Sequence, residues 1–333
     1  MAMANDERGN RSTEAVAMTI RYEPSLMEEV VLRELRQLEE KGDLRPTQKY
    51  HALADPIYER IPANARGNRR EVEFENIHKK FFQEFGFLEP MEKALLEFPA
   101  LGAVEEVFVK KAARQGEQWA DLGRDRKRVG IRIHPAQFED TPGLLRYLKH
   151  ELQHVADMLD EAFGHPSSEE GFPDTSPAEL VLIKDRYHAL WDIHIDGRLQ
   201  RRGKETIFDR ERHFERFAVS YRNVPLAQLT AAFEAFWEAE RLTHTEILAM
   251  AMDPAKVLDR GEAGRTAQGK RRRPLFAGSL CPLCRFPTFG WSNDLDTLPQ
   301  SIVESVKKDV PAWEPEDGAC DRCVELYKVR AGV

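Results

Sequence analysis

The sequence predicts an α+β protein, mostly helical, with a small sheet placed before one central helix and a small cysteine-bearing module at the carboxyl end. Three observations carry this expectation. Apolar residues at helical spacing dominate from Pro24 onward. Two short alternating segments, Val104 to Lys111 and Arg128 to His134, lie close together. All four cysteines fall in two C-x-x-C pairs near the carboxyl end.

Residues 1–20 are polar and mixed in charge, and read as a loose tail. Pro24 to Gly42 offers an amphipathic helix with Leu26, Val30, Leu32, Leu35 and Leu38 as its apolar positions. Pro56 to Arg70 reads as a loop, and an aromatic helical segment follows around Phe74 to Phe87. The second strand is the clearer one, because Val129, Ile131 and Ile133 alternate with Gly130 and Arg132. Next comes a helix from Pro142 to Phe163, with Asp140 or Thr141 as N-cap and Gly164 before Pro166 as its stop. Its core stripe is Leu145, Leu148, Leu152, Val155 and Leu159.

Ser176-Pro177-Ala178-Glu179 combines a capping-box pattern with proline at the first helical position, and opens a helix to about Gly203. More helix is expected from Phe208 to Leu258. Residues 259–274 contain Gly261, Gly264, Gly269 and the run Lys270 to Arg273 without apolar periodicity, and read as a basic linker. The expected organisation is therefore a tail (1–20), a main domain (21–258), the linker (259–274) and a cysteine module (275–333).

The chain has 333 residues, enough to bury a sizeable core without disulfides. No run approaches the length of a membrane span, so no membrane partner is expected. The polar start lacks a secretory pattern, which makes the cytoplasm the expected compartment. A net charge of -8 argues against a protein that coats nucleic acid over its whole surface, and leaves room for a local basic patch.

His150-Glu151-Leu152-Gln153-His154 places two imidazoles four residues apart on one helix face, opposite the leucine stripe, where both can reach one metal. The adjacent Glu151 is then the expected general base for water made nucleophilic by that metal. A third ligand is needed. Asp157 and Asp160 stand where a longer motif of this kind would carry glycine and a histidine ligand, and in an uninterrupted helix Asp160 would turn away. The following helix is apolar almost all round, through Leu180, Ile183, Tyr187, Leu190, Trp191, Ile193, Ile195 and Leu199, with Asp185, Asp192 and Asp196 as its acidic stripe. Buried carboxylates need a charge partner or a metal. Asp192 is expected as the ligand and Asp196 as the carboxylate behind it, or the reverse. Salt bridges to Arg186 or Arg198 are the structural alternative. His188 and His165 are further candidate ligands, and His194 reads as a core histidine.

At this point the chain resembles the zincin superfamily of metallopeptidases, in its gluzincin branch, through His150-Glu151-x-x-His154 and Asp192-x-x-x-Asp196. The resemblance covers roughly Val104 to Gly203. It implies a zincin-like fold, catalytic zinc, a peptide or protein substrate, and an edge strand that binds extended peptide, a place the segment Arg128 to His134 would take. Aspartate stands where that branch has glutamate as third ligand, a shorter arm. A second resemblance, carried by fewer residues, is to SprT-like proteases, and implies His165 as third ligand.

Cys281-Pro-Leu-Cys284 and Cys320-Asp-Arg-Cys323 form two knuckles at zinc-ribbon spacing, which predicts a four-thiolate structural zinc ahead of iron or free dithiols. Trp291, Trp313, Phe286 and Phe289 are its expected apolar core. The ribbon and Lys270 to Arg273 are candidate contacts for nucleic acid or a protein partner, although Asp294, Asp296, Glu304, Asp309, Glu314, Glu316 and Asp317 make the module itself acidic. The sequence thus predicts a zinc metallopeptidase with one catalytic and one structural Zn2+. The alternative is a non-catalytic binding or regulatory protein of the same fold.

Overall fold

The computed structural model describes residues 18–61, 69–166, 172–173, 175, 177–219, 221–222, 224–260, 275–276, 278–293 and 295–332. Most of residues 1–20 and of the 259–274 linker, including Lys270 to Arg273, lie outside these. The fold is α+β, mostly helical with a small mixed sheet, and the chain divides into two units, Met1–Leu159 and Asp160–Val333.

The first unit runs β1 (Thr19–Tyr22), α1 (Pro24–Glu40), α2 (Arg45–Arg60), α3 (Arg69–Glu84), α4 (Glu89–Leu96), β2 (Glu106–Lys111), β3 (Trp119–Leu122), β4 (Arg128–Ile133) and α5 (Thr141–Leu159). The sheet order is β1-β2-β4-β3, with β1, β2 and β4 parallel and β3 antiparallel to β4. Side chains alternate across a strand, so Val107, Val109, Ala120, Val129, Ile131 and Ile133 all point to the buried face. On α1, Leu26, Met27, Val30, Val31 and Leu35 turn inward, and α1 packs against α3.

Four expectations change here. The tail ends earlier than its composition indicates, because Thr19–Tyr22 adds a parallel strand to β2. Pro56 lies inside α2, not in a loop. It sits on the exposed face, between buried Ala54 and Ile57, and the carbonyl that loses its helix donor belongs to the exposed Ala52. The strand Arg128–Ile133 is interior, paired on both sides, and the edge beside α5 is β3. Finally, α5 stops at Leu159, four residues short of Phe163. There Asp160 Oδ1 accepts the Ala162 N–H at 2.9 Å and the Asp160 carbonyl accepts the Phe163 N–H at 3.0 Å, a side-chain turn that competes with the helix.

The second unit contains α6 (Pro177–Arg201), α7 (Arg210–Val219), β5 (Tyr221–Arg222), α8 (Leu226–Trp237), α9 (His244–Met252), α10 (Ala255–Asp259), β6 (Leu275–Phe276), α11 (Gln300–Asp309) and α12 (Asp321–Ala331). The expected run from Phe208 to Leu258 is thus several helices, with β5 pairing antiparallel to β6. α6 packs against α8 and α9. It comes near α8 at Gly197, where an added Cβ would clash with the Trp237 carbonyl oxygen, itself an acceptor from Arg201. Gly197→Ala must push the helices apart. We expect it to lower unfolding stability by roughly 1–3 kcal/mol in urea titration, as overpacking does elsewhere.

Candidate metal centres

The helix α5 buries more than its leucines. Leu144, Tyr147, Leu148, Leu152, Val155 and Met158 are buried, and so are His150, Glu151, Gln153, His154 and Asp157, while the expected stripe positions Leu145 and Leu159 are only half-buried. These polar groups need partners, because an unsatisfied buried polar group costs about 1–3 kcal/mol. Gln153 Nε2 donates to Asp157 Oδ1 at 3.1 Å. The edge strand supplies the partner for Glu151: the Ala120 N–H donates to Glu151 Oε2 at 2.7 Å. One turn earlier, the Tyr147 hydroxyl donates to the Arg132 carbonyl at 2.7 Å. Burial, with Glu151 beside it, pushes the Tyr147 phenol far above its ordinary value, so it remains a hydrogen-bond donor.

His150 and His154 turn their Nε2 atoms to within 3.1 Å of each other. Two nitrogens bound to one tetrahedral zinc at about 2.0–2.1 Å would stand about 3.3 Å apart, so the donor pair fits such an ion. His150 and His154 could each offer a nitrogen to one metal ion. Asp192 is half-buried on α6, and His188 and Asp185 on the same helix are exposed. Asp196, one turn beyond Asp192 and fully buried, has its Oδ2 2.7 Å from His213 Nε2 and 3.5 Å from the Phe208 N–H. His213 on α7 carried no signal in the sequence, since only the fold brings it to Asp196. His194 is a core histidine, as expected, with its Nε2 accepting the Leu242 N–H at 3.2 Å. His165 is half-buried among Phe163, Trp191 and His244 rings.

The four cysteines come together as the spacing predicts. Cys281 Sγ lies 3.9 Å from Cys323 Sγ, and Cys284 Sγ 3.9 Å from Cys320 Sγ. That is far too long for a disulfide and close to the edge, about 3.8 Å, of a tetrahedron with metal–sulfur bonds of about 2.3 Å. The set could hold a metal ion. In the first knuckle the Arg285 N–H returns to the Cys281 carbonyl at 2.8 Å, and Arg285 takes a left-handed conformation with φ 63°. The second knuckle opens α12, whose N-cap is Cys320. Burial raises the Cys281 thiol, but backbone N–H donors from Cys284, Cys320 and Leu283 outweigh it and hold the thiol below its ordinary value. Burial holds Cys320 and Cys323 above theirs.

Among the described residues, this module contains β6, the helices α11 and α12, and two isolated bridges, Leu280 with Pro287 and Trp291 with Cys320. Its apolar core is Leu295, Ile302, Val306, Trp313, Ala319, Val324 and Tyr327. Trp291 and Trp313 are buried as expected, whereas Phe286 and Phe289 are 69% and 61% exposed and so are not core residues. No described helix is long and apolar enough to cross a membrane.

One buried histidine gives a test by pH. Burial, with a smaller contribution from His165, pushes His244 from an ordinary 6.5 down to about 4, and its Nδ1 lies 2.8 Å from the Tyr187 hydroxyl. As pH falls through 6.5 the unfolded chain takes up a proton that the folded chain refuses until about 4, so stability is lost across that window. We expect the urea midpoint to fall less steeply between pH 7 and pH 4.5 in His244→Gln than in the unaltered protein. The chain matches no protein-family model, and no curated protein or solved structure matches it.

Proposed function

We propose that this protein is a zinc-dependent metallopeptidase with a zincin-like catalytic centre and a second, structural zinc. The observation that carries the reading is the convergence of the His150 and His154 Nε2 atoms at 3.1 Å on the same helix that holds Glu151 in place. His150 and His154 would hold the catalytic ion with Asp192 as third ligand, and Cys281, Cys284, Cys320 and Cys323 would hold the structural one. When bound, zinc supplies Lewis acidity that makes water a nucleophile near neutral pH.

Glu151 is the general base. Its Oε2 accepts the Ala120 N–H, which fixes the orientation of the carboxylate. It takes the proton from the attacking water and returns it to the departing amine nitrogen, with the peptide C–N bond broken and a carboxylic acid and an amine released. Asp196, bonded to His213, sits one turn from Asp192 and would steady that end of α6. The resemblance to gluzincins and the H-E-x-x-H spacing support a peptide substrate, and the carboxylate and imidazole chemistry supports hydrolysis more generally. The fold gives no separate support to the non-catalytic reading, which remains an outcome of the test.

Metal analysis of the purified protein should find two zinc ions per chain, with one lost in His154→Ala and the other in Cys320→Ser. One ion only, indifferent to His154→Ala, would remove the catalytic centre. Glu151→Gln should keep both ions and lose about 10²–10⁴-fold in hydrolysis of a peptide library. Hydrolysis unchanged in Glu151→Gln would remove Glu151 as the general base, and no hydrolysis by the unaltered zinc-loaded protein would favour the binding-protein reading.

A further inference from the structure

The sheet of the first unit has a second face. Its outward residues form three rows read straight from the strand register: Glu106 beside Arg128; Arg21, Phe108, Gly130 and Asp121; and Lys110, Arg132 and Trp119. They line one open pocket of about 410 Å³. Four cations face two carboxylates there, on a chain whose net charge is -8. Lys110 lies over the Phe108 ring at 5.1 Å and Arg132 over the Trp119 ring at 5.5 Å. Trp119 is 45% exposed. Between the rings Gly130 makes a bare floor, since a Cβ built on it meets nothing within 4 Å.

We propose that this face binds single-stranded nucleic acid, separately from the metal centres. Two rings beside a glycine floor offer the stacking surface that sequence-tolerant single-strand binders use, and cations at neighbouring strand positions follow a phosphate backbone. The Arg21–Glu106 and Arg128–Asp125 pairs, at 3.0 and 2.7 Å, are exposed, so they exchange for phosphate at little cost. Glu106 and Asp121 decide between polyanions. They repel an acidic peptide, whereas an unpaired base offers N–H groups on its Watson–Crick edge, N3–H in thymine and uracil, for a carboxylate to accept from. A poly-glutamate chain also has no planar ring to fill the slot over Gly130.

The test is fluorescence anisotropy of the full-length, metal-loaded protein with labelled oligo-dT and oligo-U of about 20 nucleotides, a length beyond most single-strand sites. Binding at low salt should weaken as salt rises, with a log–log slope of about 2–3 for four cations. Lys110→Glu with Arg132→Glu should abolish it. Trp119→Ala should weaken it about tenfold, and Gly130→Leu, which fills the floor without altering charge, should do the same. Since Trp119 belongs to a strand, circular dichroism of each variant confirms that folding is retained, and Gly130→Leu stands as the second blocking variant. The proposal is overturned by no binding at low salt. It is equally overturned by binding that these variants leave intact but neutralisation of Lys270 to Arg273 removes, or by poly-glutamate binding to the face while both oligonucleotides do not.

Discussion

A helix that buries His150, Glu151, Gln153, His154 and Asp157 among its leucines is the constraint on which the first unit depends. Polar groups withdrawn from water must be met by other polar groups, and the sheet is arranged so that they are. Tyr147 and Glu151, one turn apart on α5, bond to Arg132 and Ala120, which lie on neighbouring strands almost opposite each other in the β3–β4 register. The two bonds form a ruler. A slip of β3 by one residue would turn the Ala120 N–H away from Glu151 and carry its methyl group out of the core. The antiparallel strand and the polar helix therefore specify each other.

The second unit solves a similar problem twice. In α6 the fully buried Asp196 is matched by His213 from α7, and His194 by the Leu242 backbone. The cysteine module has a small core around Ile302, Trp313 and Tyr327, and among the described residues α11 and two short 3-10 helices join its knuckles. A metal ion held by the four thiolates would supply what so small a core cannot. The backbone N–H groups around Cys281 favour a thiolate there before any ion arrives.

What the sequence made legible was local. The H-E-x-x-H spacing, the C-x-x-C pairs and the long apolar periods of α1 and α6 are each written within a few turns of chain, and the α+β class follows from them. What it hid depends on contacts between distant residues. β1 and β3 have four residues each, too short for alternation to speak, and their pairing is set by β2 and β4. Helix α2 continues through Pro56 because that position faces water, a fact of burial. The stop at Leu159 turned on Asp160 outcompeting Gly164. At the candidate site, His150, Glu151 and His154 were plain, whereas Ala120 contributes only a backbone N–H and His213 only a position in space.

The Ala120 bond also bears on how the sheet ends. An edge strand usually presents its free N–H and carbonyl groups to any passing chain, which invites sheets to grow from molecule to molecule. In β3 the central donor on the open side is already committed to a carboxylate of its own protein. A foreign strand would meet a gap in the ladder at that point and the bulk of α5 beside it. The arrangement that steadies Glu151 therefore also interrupts strand addition along the β3 edge.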